Sequence, residues 1–249
     1  MMSVFAALLI AAAPSAPVVR IEKLEEGRFR ITLTAPGLTL EQGQAKAGEE
    51  AARLCGGDAL LGRYRWRSDE EVGSGTTIAL TLEQEAECGK APPGTVPKPI
   101  GFKPTAADER RVLDLTARYF AARDSGRYRD AWNLLTASMQ EMEPLADYQA
   151  RQIDFRARAS SGLRRDPVAV TWYDNPPNAP AGGIFAAVDF VGRSSKLQLL
   201  CGYLIWLRQP DGSWRLTREE EGSLERGTAP SSPEQLAKAK AAMHCREPG

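Results

Sequence analysis

The sequence predicts an α+β protein built from two modules, and three observations carry that prediction. Residues 91–104, APPGTVPKPIGFKP, are dense in proline, which regular helix and central strand do not accept. Before this stretch, strand-like runs flank one helical run; after it, helical periodicity gives way to period two near Asp166-Pro167. The cysteines divide across the same stretch, Cys55 and Cys88 before it, Cys201 and Cys245 after it. The expected organisation is a leader over 1–15, a small α+β module over 16–90 and a linker over 91–104. A larger domain over 105–221 and a tail with a short helix over 222–249 complete it.

In the first module, residues 18–22 and 28–33 read as strands turned at Glu26-Gly27, with Phe29, Ile31 and Leu33 sharing a face. Residues 40–54 are rich in helix formers, and Cys55-Gly56-Gly57 supplies a glycine stop. Residues 60–67 place Tyr64 and Trp66 on one face and Arg63, Arg65 and Arg67 on the other. A last strand over 76–82 gives the order β-β-α-β-β. The second module opens at Thr105, an N-cap with Asp108 three residues on. Val112, Leu115, Tyr119 and Phe120 keep helical spacing until Ser125-Gly126. A short amphipathic helix follows over Tyr128, Ala131, Trp132 and Leu135, and a third helix starts near Pro144. Strands are expected over 168–173, 184–191, 197–208 and 214–218, the last two joined at Asp211-Gly212.

The chain has 249 residues, with 32 basic and 32 acidic side chains and one histidine. Zero net charge, balanced on both sides of the linker, argues against a nucleic-acid binder, which needs a basic excess to neutralise phosphates. The lone histidine removes most histidine-based metal sites, and no metal or cofactor is expected. Residues 4–13, VFAALLIAAA, are too few to span a bilayer but suit the apolar core of a secretory signal, with cleavage placed after Ser15. The expectation is therefore a periplasmic or secreted protein with no stable membrane span once the leader is removed. Four widely spaced cysteines without a CxxC agree with an oxidising compartment. Three pairings are possible, and the modular layout favours Cys55–Cys88 and Cys201–Cys245.

Three segments add a resemblance. ARYFAARDSGRYRDAWNLLTASMQ, VTWYDNPPNAPAGGIFAAVDF and YLIWLRQPDGSWRLTREE are similar to the bacterial family known as domain of unknown function 4019, over roughly residues 106–221. The layout of three helices before a bent antiparallel sheet resembles the nuclear transport factor 2-like, or ketosteroid-isomerase-like, cone fold. That resemblance implies a cone-fold domain and an exported protein of unassigned activity. It implies no chemistry.

A cone fold can form a pocket between its helices and the concave sheet. Asp189, inside the apolar run 184–190, would be a general base if it faced an apolar pocket with Tyr119 or Tyr203 as partner. The competing reading turns it to solvent, opposite Ile184, Val188 and Phe190. Tyr119, Trp132, Tyr148, Phe155, Trp172, Tyr203 and Trp206 would line a ligand cavity or simply form the core, the commoner use of such spacing. Arg151, Arg156, Arg158, Arg164 and Arg165 read as a solvated basic face. His244-Cys245 lacks the ligand count of a metal site, residues 192–196 are not a phosphate-binding loop, and Gly73-Ser74-Gly75 is not a nucleophile elbow. The function expected is a non-enzymatic binding module for an envelope protein partner, with a small apolar ligand as the alternative. An isomerase-like enzyme using Asp189 ranks last.

Overall fold

The computed structural model describes residues 16–70, 77–89, 99–159, 162–176, 182–227, 232–243 and 245–246. The leader expected over 1–15, the Gly73-Ser74-Gly75 turn, His244 and residues 91–98 of the linker lie outside them. The chain is mixed α+β, with two four-stranded antiparallel sheets and six helices among the described residues. It divides into two compact units whose main boundary falls between Ala91 and Pro92.

The first unit runs β1 (Val18–Glu25), β2 (Arg28–Pro36), α1 (Leu40–Cys55), β3 (Ala59–Glu70) and β4 (Thr77–Cys88), and its strands lie in the order β1-β2-β4-β3. Helix α1 starts where Thr39 Oγ1 accepts from the Gln42 N–H and the Gln42 side chain accepts from the Thr39 N–H, a complete capping box. It stops at Gly56, whose φ of 63° suits glycine best. Its buried stripe, Gly43, Ala47 and Ala51, meets Ile31 and Leu33 of β2 and Leu80 and Leu82 of β4. The approach is close: a Cβ at Gly43 would lie 2.5 Å from Leu80 Cδ2. Each fully buried leucine there contributes roughly 1.5–3 kcal/mol. Cys55, at the end of α1, is bonded to Cys88, at the end of β4. The other face of the sheet is ionic, with Glu85 accepting from Arg63 and Arg30, and Glu83 from Arg65.

The second unit runs α2 (Ala106–Asp124), α3 (Tyr128–Trp132), α4 (Ala137–Met142), α5 (Leu145–Ala159), then β5 (Arg164–Asp174), β6 (Ile184–Arg193), β7 (Leu197–Arg208), β8 (Trp214–Glu225) and α6 (Pro233–Ala242). The sheet is a meander, β5-β6-β7-β8. Its inner face carries Val188, Phe190, Leu204, Trp206 and Leu216, packed against Val112, Tyr119 and Phe120 of α2 and Tyr148 of α5. Phe120 and Phe190 meet edge to face at 5.0 Å.

Several expectations need correction. Four helices, not three, precede the sheet. The extra one, α4, is capped by Thr136 Oγ1 and is built from ASMQEM, too short and polar to show apolar periodicity. β5 begins at Arg164 and passes through Pro167, which is tolerated because β5 is an edge strand with a bulge between Pro167 and Ala169. β8 continues to Glu225, past the domain end placed at residue 221. The linker was drawn to residue 104, yet the Asp174 carboxylate accepts from the backbone N–H groups of Ile100, Gly101 and Phe102, and the Phe102 ring lies 5.8 Å from that of Trp172. Residues 100–102 are thus held by the second unit. The tail is docked as well, through Cys201–Cys245.

Candidate functional site

The most unusual feature of the second unit is a line of charge through its interior. It starts from the phase of β8. Trp214 and Leu216 face inward, and an irregularity between Leu216 and Arg218 reverses the alternation. Glu219 and Glu221, opposite Leu204 and Gly202, then face inward while Arg218 and Glu220 face out. Gly202 allows close strand approach, since a Cβ there would lie 2.0 Å from the Glu220 carbonyl oxygen. On α2, Arg123 continues the buried stripe of Val112, Thr116 and Tyr119 at helical spacing. Burying Arg123 against two inward carboxylates is what gives each charge a partner.

Carboxylates and guanidiniums alternate along the line. Glu143, capping α4, binds Arg151 of α5 through both oxygens, at 2.7 and 2.8 Å. Arg151 reaches Glu219 at 3.7 Å. Arg123 donates to Glu219 and, at 3.2 Å, to Glu221. Arg165 donates to Glu221 at 2.7 Å and to Asp124 at 2.9 Å. The order is Glu143–Arg151–Glu219–Arg123–Glu221–Arg165–Asp124. Its centre is dry, with side-chain exposures of 3% for Arg123, 8% for Glu219 and Glu221, and 1% for Arg165. Aromatic faces shield it: the Arg165 guanidinium lies 4.6 Å from the Phe120 ring centroid, and Arg123 lies 5.5 Å from that of Phe155. Tyr148 donates to Tyr119 at 3.1 Å, Tyr119 donates to Glu219 at 2.8 Å, and Gln152 accepts from Arg123 at 2.8 Å.

The surroundings hold two of these groups far from neutral pH. Burial alone would raise the Glu221 carboxyl, but the Arg123 and Arg165 charges and hydrogen bonds outweigh it and hold it at about 2. Burial, reinforced by the Glu219 charge, pushes the Tyr119 phenol well above its usual range. A general acid or base works best with a pKa near the operating pH, and neither group has one.

The five pocket candidates are not brought together. Tyr119 and Trp206 are fully buried in the core, where Trp206 Nε1 donates to Thr116 Oγ1 at 2.9 Å. Trp132 is half-buried, donating to the Glu143 carbonyl at 2.9 Å. Asp189 and Tyr203, opposite one another across β6 and β7, lie on the outer face of the sheet. Asp189 is therefore separated from Tyr119 by the sheet, and it accepts from Arg246 at 3.0 Å. The basic cluster is also split. Arg165 is buried in the line and Arg151 is anchored to Glu143, whereas Arg158 pairs along α5 with Asp154. A cleft of about 270 Å³ opens between α2 and β5, lined in part by Phe120, Asp124, Leu163 and Pro167. Among the described residues, no group of three or more His, Cys, Asp or Glu side chains is placed to hold a metal ion. No described helix is long and apolar enough to cross a membrane.

The residues that sequence reasoning passed over are Arg123, Glu143, Glu219 and Glu221. A signal existed for Arg123, which continues an apolar stripe. Glu219 and Glu221 sit in the run Arg218-Glu219-Glu220-Glu221, which looks like a solvated edge until the change of phase is known. No curated protein matches the chain. Residues 116–218, from α2 to the early part of β8, match the model of the family described as Protein of unknown function (DUF4019).

Proposed function

We propose that the protein is an exported envelope protein whose second unit, with a nuclear transport factor 2-like cone fold, is a non-enzymatic interaction module for another envelope protein. The observation that carries this reading is the filled interior. Most of the space between helices and sheet, where a cone fold would hold a ligand, is occupied by the Arg123–Glu221 line and by Tyr119, Tyr148 and Trp206, all buried, and the cleft between α2 and β5 reaches only Asp124 and Arg165 at one end of that line. An apolar ligand would need Tyr119 and Trp206 to front a cavity, and an Asp189 enzyme would need that carboxylate inside. Two disulfides, Cys55–Cys88 and Cys201–Cys245, support an oxidising, non-cytoplasmic location.

The test is expression of the full chain in a bacterial host, with cell fractionation, N-terminal sequencing, intact mass and cross-linking in the envelope. The expected result is an envelope or external protein starting at Ala16, both disulfides formed, with a protein–protein adduct and no small-molecule adduct in native mass spectrometry. A cytosolic protein with reduced thiols would overturn the export reading. A retained apolar small molecule would overturn the interaction reading.

A further inference from the structure

The end of the chain crosses the outer face of the second sheet. Cys201 lies on that face of β7, opposite Gly222 of β8, and it is fully buried although Tyr203 and Ile205 on the same face are only half-buried. The C-terminal segment covers it. Cys245 is bonded to it, and Met243 packs on Gly222 so closely that a Cβ there would lie 2.7 Å from Met243 Sδ. Arg246 then reaches Thr171 Oγ1 and Asp189 Oδ2, each at 3.0 Å.

Burial along α6 is shallow among its described side chains. Helix α6 has 10 residues, fewer than an isolated helix needs to persist in water. Among its described side chains only Ala239 is buried, and Lys238 and Glu234 pair along the helix itself. Arg246 is 53% exposed, so its bond to Asp189 belongs to the weak class of surface ion pairs. Ordering this segment costs conformational entropy at every residue, and Cys201–Cys245 fixes its end to the sheet. The covalent bond is the tether.

We propose that residues 232–243 with Cys245 and Arg246 are a thiol-releasable strap, holding Cys201 and Asp189 covered while Cys201–Cys245 is intact and leaving the sheet when that bond is reduced. The reductant is a dithiol. One of its sulfurs, as thiolate, attacks the Sγ of Cys245, which is half-buried whereas Cys201 is fully buried. The disulfide breaks, and Cys201 leaves as a thiolate and takes a proton. The second sulfur of the reductant then displaces Cys245 from the mixed disulfide. Two electrons and two protons have passed to the cysteines, and the dithiol has become a disulfide. Cys201 and Asp189 are then open to solvent.

The test is hydrogen–deuterium exchange with mass spectrometry on the full chain, comparing the oxidised protein with Cys245→Ser and Asp189→Asn. Cys245→Ser leaves Cys55–Cys88 untouched and substitutes no fully buried residue. Amides of residues 237–243 are expected to exchange at least tenfold faster in Cys245→Ser, with β6 and β7 unchanged and the Cys201 thiol open to iodoacetamide under native conditions. In Asp189→Asn the strap is expected to stay protected. Continued protection of 237–243 with an unreactive Cys201 in Cys245→Ser would overturn the proposal. So would loss of protection in β6 and β7 as well, which would make the bond a support of the sheet, or release of the strap by Asp189→Asn alone.

Discussion

Replacing Glu221 by Gln removes one charge from the centre of the buried line and leaves its shape nearly intact. Arg123 and Arg165 then share a neutral amide in place of a carboxylate, and two dry guanidiniums lose a counter-ion. The carboxyl sits at about 2 in the folded protein against an ordinary value of 4.5. At about 1.4 kcal/mol per pH unit, that difference amounts to about 3 kcal/mol of stability at neutral pH. Breaking a buried ion pair by removing one partner costs roughly 3–5 kcal/mol, which agrees. For a unit of this size, a loss of about 3 kcal/mol lowers the melting temperature by about 6–12 °C. The assay is thermal unfolding followed by near-ultraviolet circular dichroism, which Trp172, Trp206 and Trp214 of the second unit report. Because the folded value is depressed, the Glu221 contribution is complete above pH 4.5 and is lost as pH falls toward 2. The gap between wild type and Glu221→Gln is therefore expected to stay constant from pH 7 to about 5 and to shrink as pH falls from 4.5 toward 2. A loss below about 1 kcal/mol at pH 7 would refute the reasoning. A gap independent of pH between 5 and 2 would do the same.

Tyr119→Phe deletes the donor to Glu219 and the acceptor of Tyr148, and is expected to cost about 1–3 kcal/mol in denaturant unfolding. Asp174→Ala frees the backbone of Ile100, Gly101 and Phe102, so hydrogen exchange should accelerate over 100–103 while β6 and β7 keep their protection. Removing Cys55–Cys88 as a double alanine variant is expected to cost about 4 kcal/mol, from the loop closed over a separation of 33 residues. That is a large share of the stability of a small unit, so the peptides of β2 and β4 should lose exchange protection at 37 °C.

The elements most legible from sequence are those whose local chemistry and burial agree. Helix α1 has helix formers, a polar cap at Thr39 and a glycine stop at Gly56, and its start and end follow from them. β6 and β7 read as strands because their apolar runs are bounded by glycine and polar turns. Legibility fails where tertiary context supplies the reason. α4 exists because Trp132 Nε1 donates to the Glu143 carbonyl and Gln140 donates to the Trp132 carbonyl, contacts that no periodicity announces. β8 looked short because its second half is acidic, and only the change of phase after Leu216 turns Glu219 and Glu221 inward. The same holds for Arg165, an arginine beside another arginine. On β5, Arg164 faces out while Arg165 faces Asp124 and Glu221. The buried line joins residues about a hundred positions apart, Arg123 to Glu219 and Glu221, and its members are recognisable as partners only once α2 is packed on the sheet.

Paired charges fill the centre of the second unit and keep water from it. The most direct measurement is the titration of the Glu221 side-chain carboxyl by carbon-13 nuclear magnetic resonance on the folded protein. A carboxylate locked between Arg123 and Arg165 titrates at about 2, and its signal stays in the ionised position through the range where free glutamates protonate. A midpoint at or above 4.5 would mean a carboxylate that water reaches or a pair that does not form, and would contradict the account.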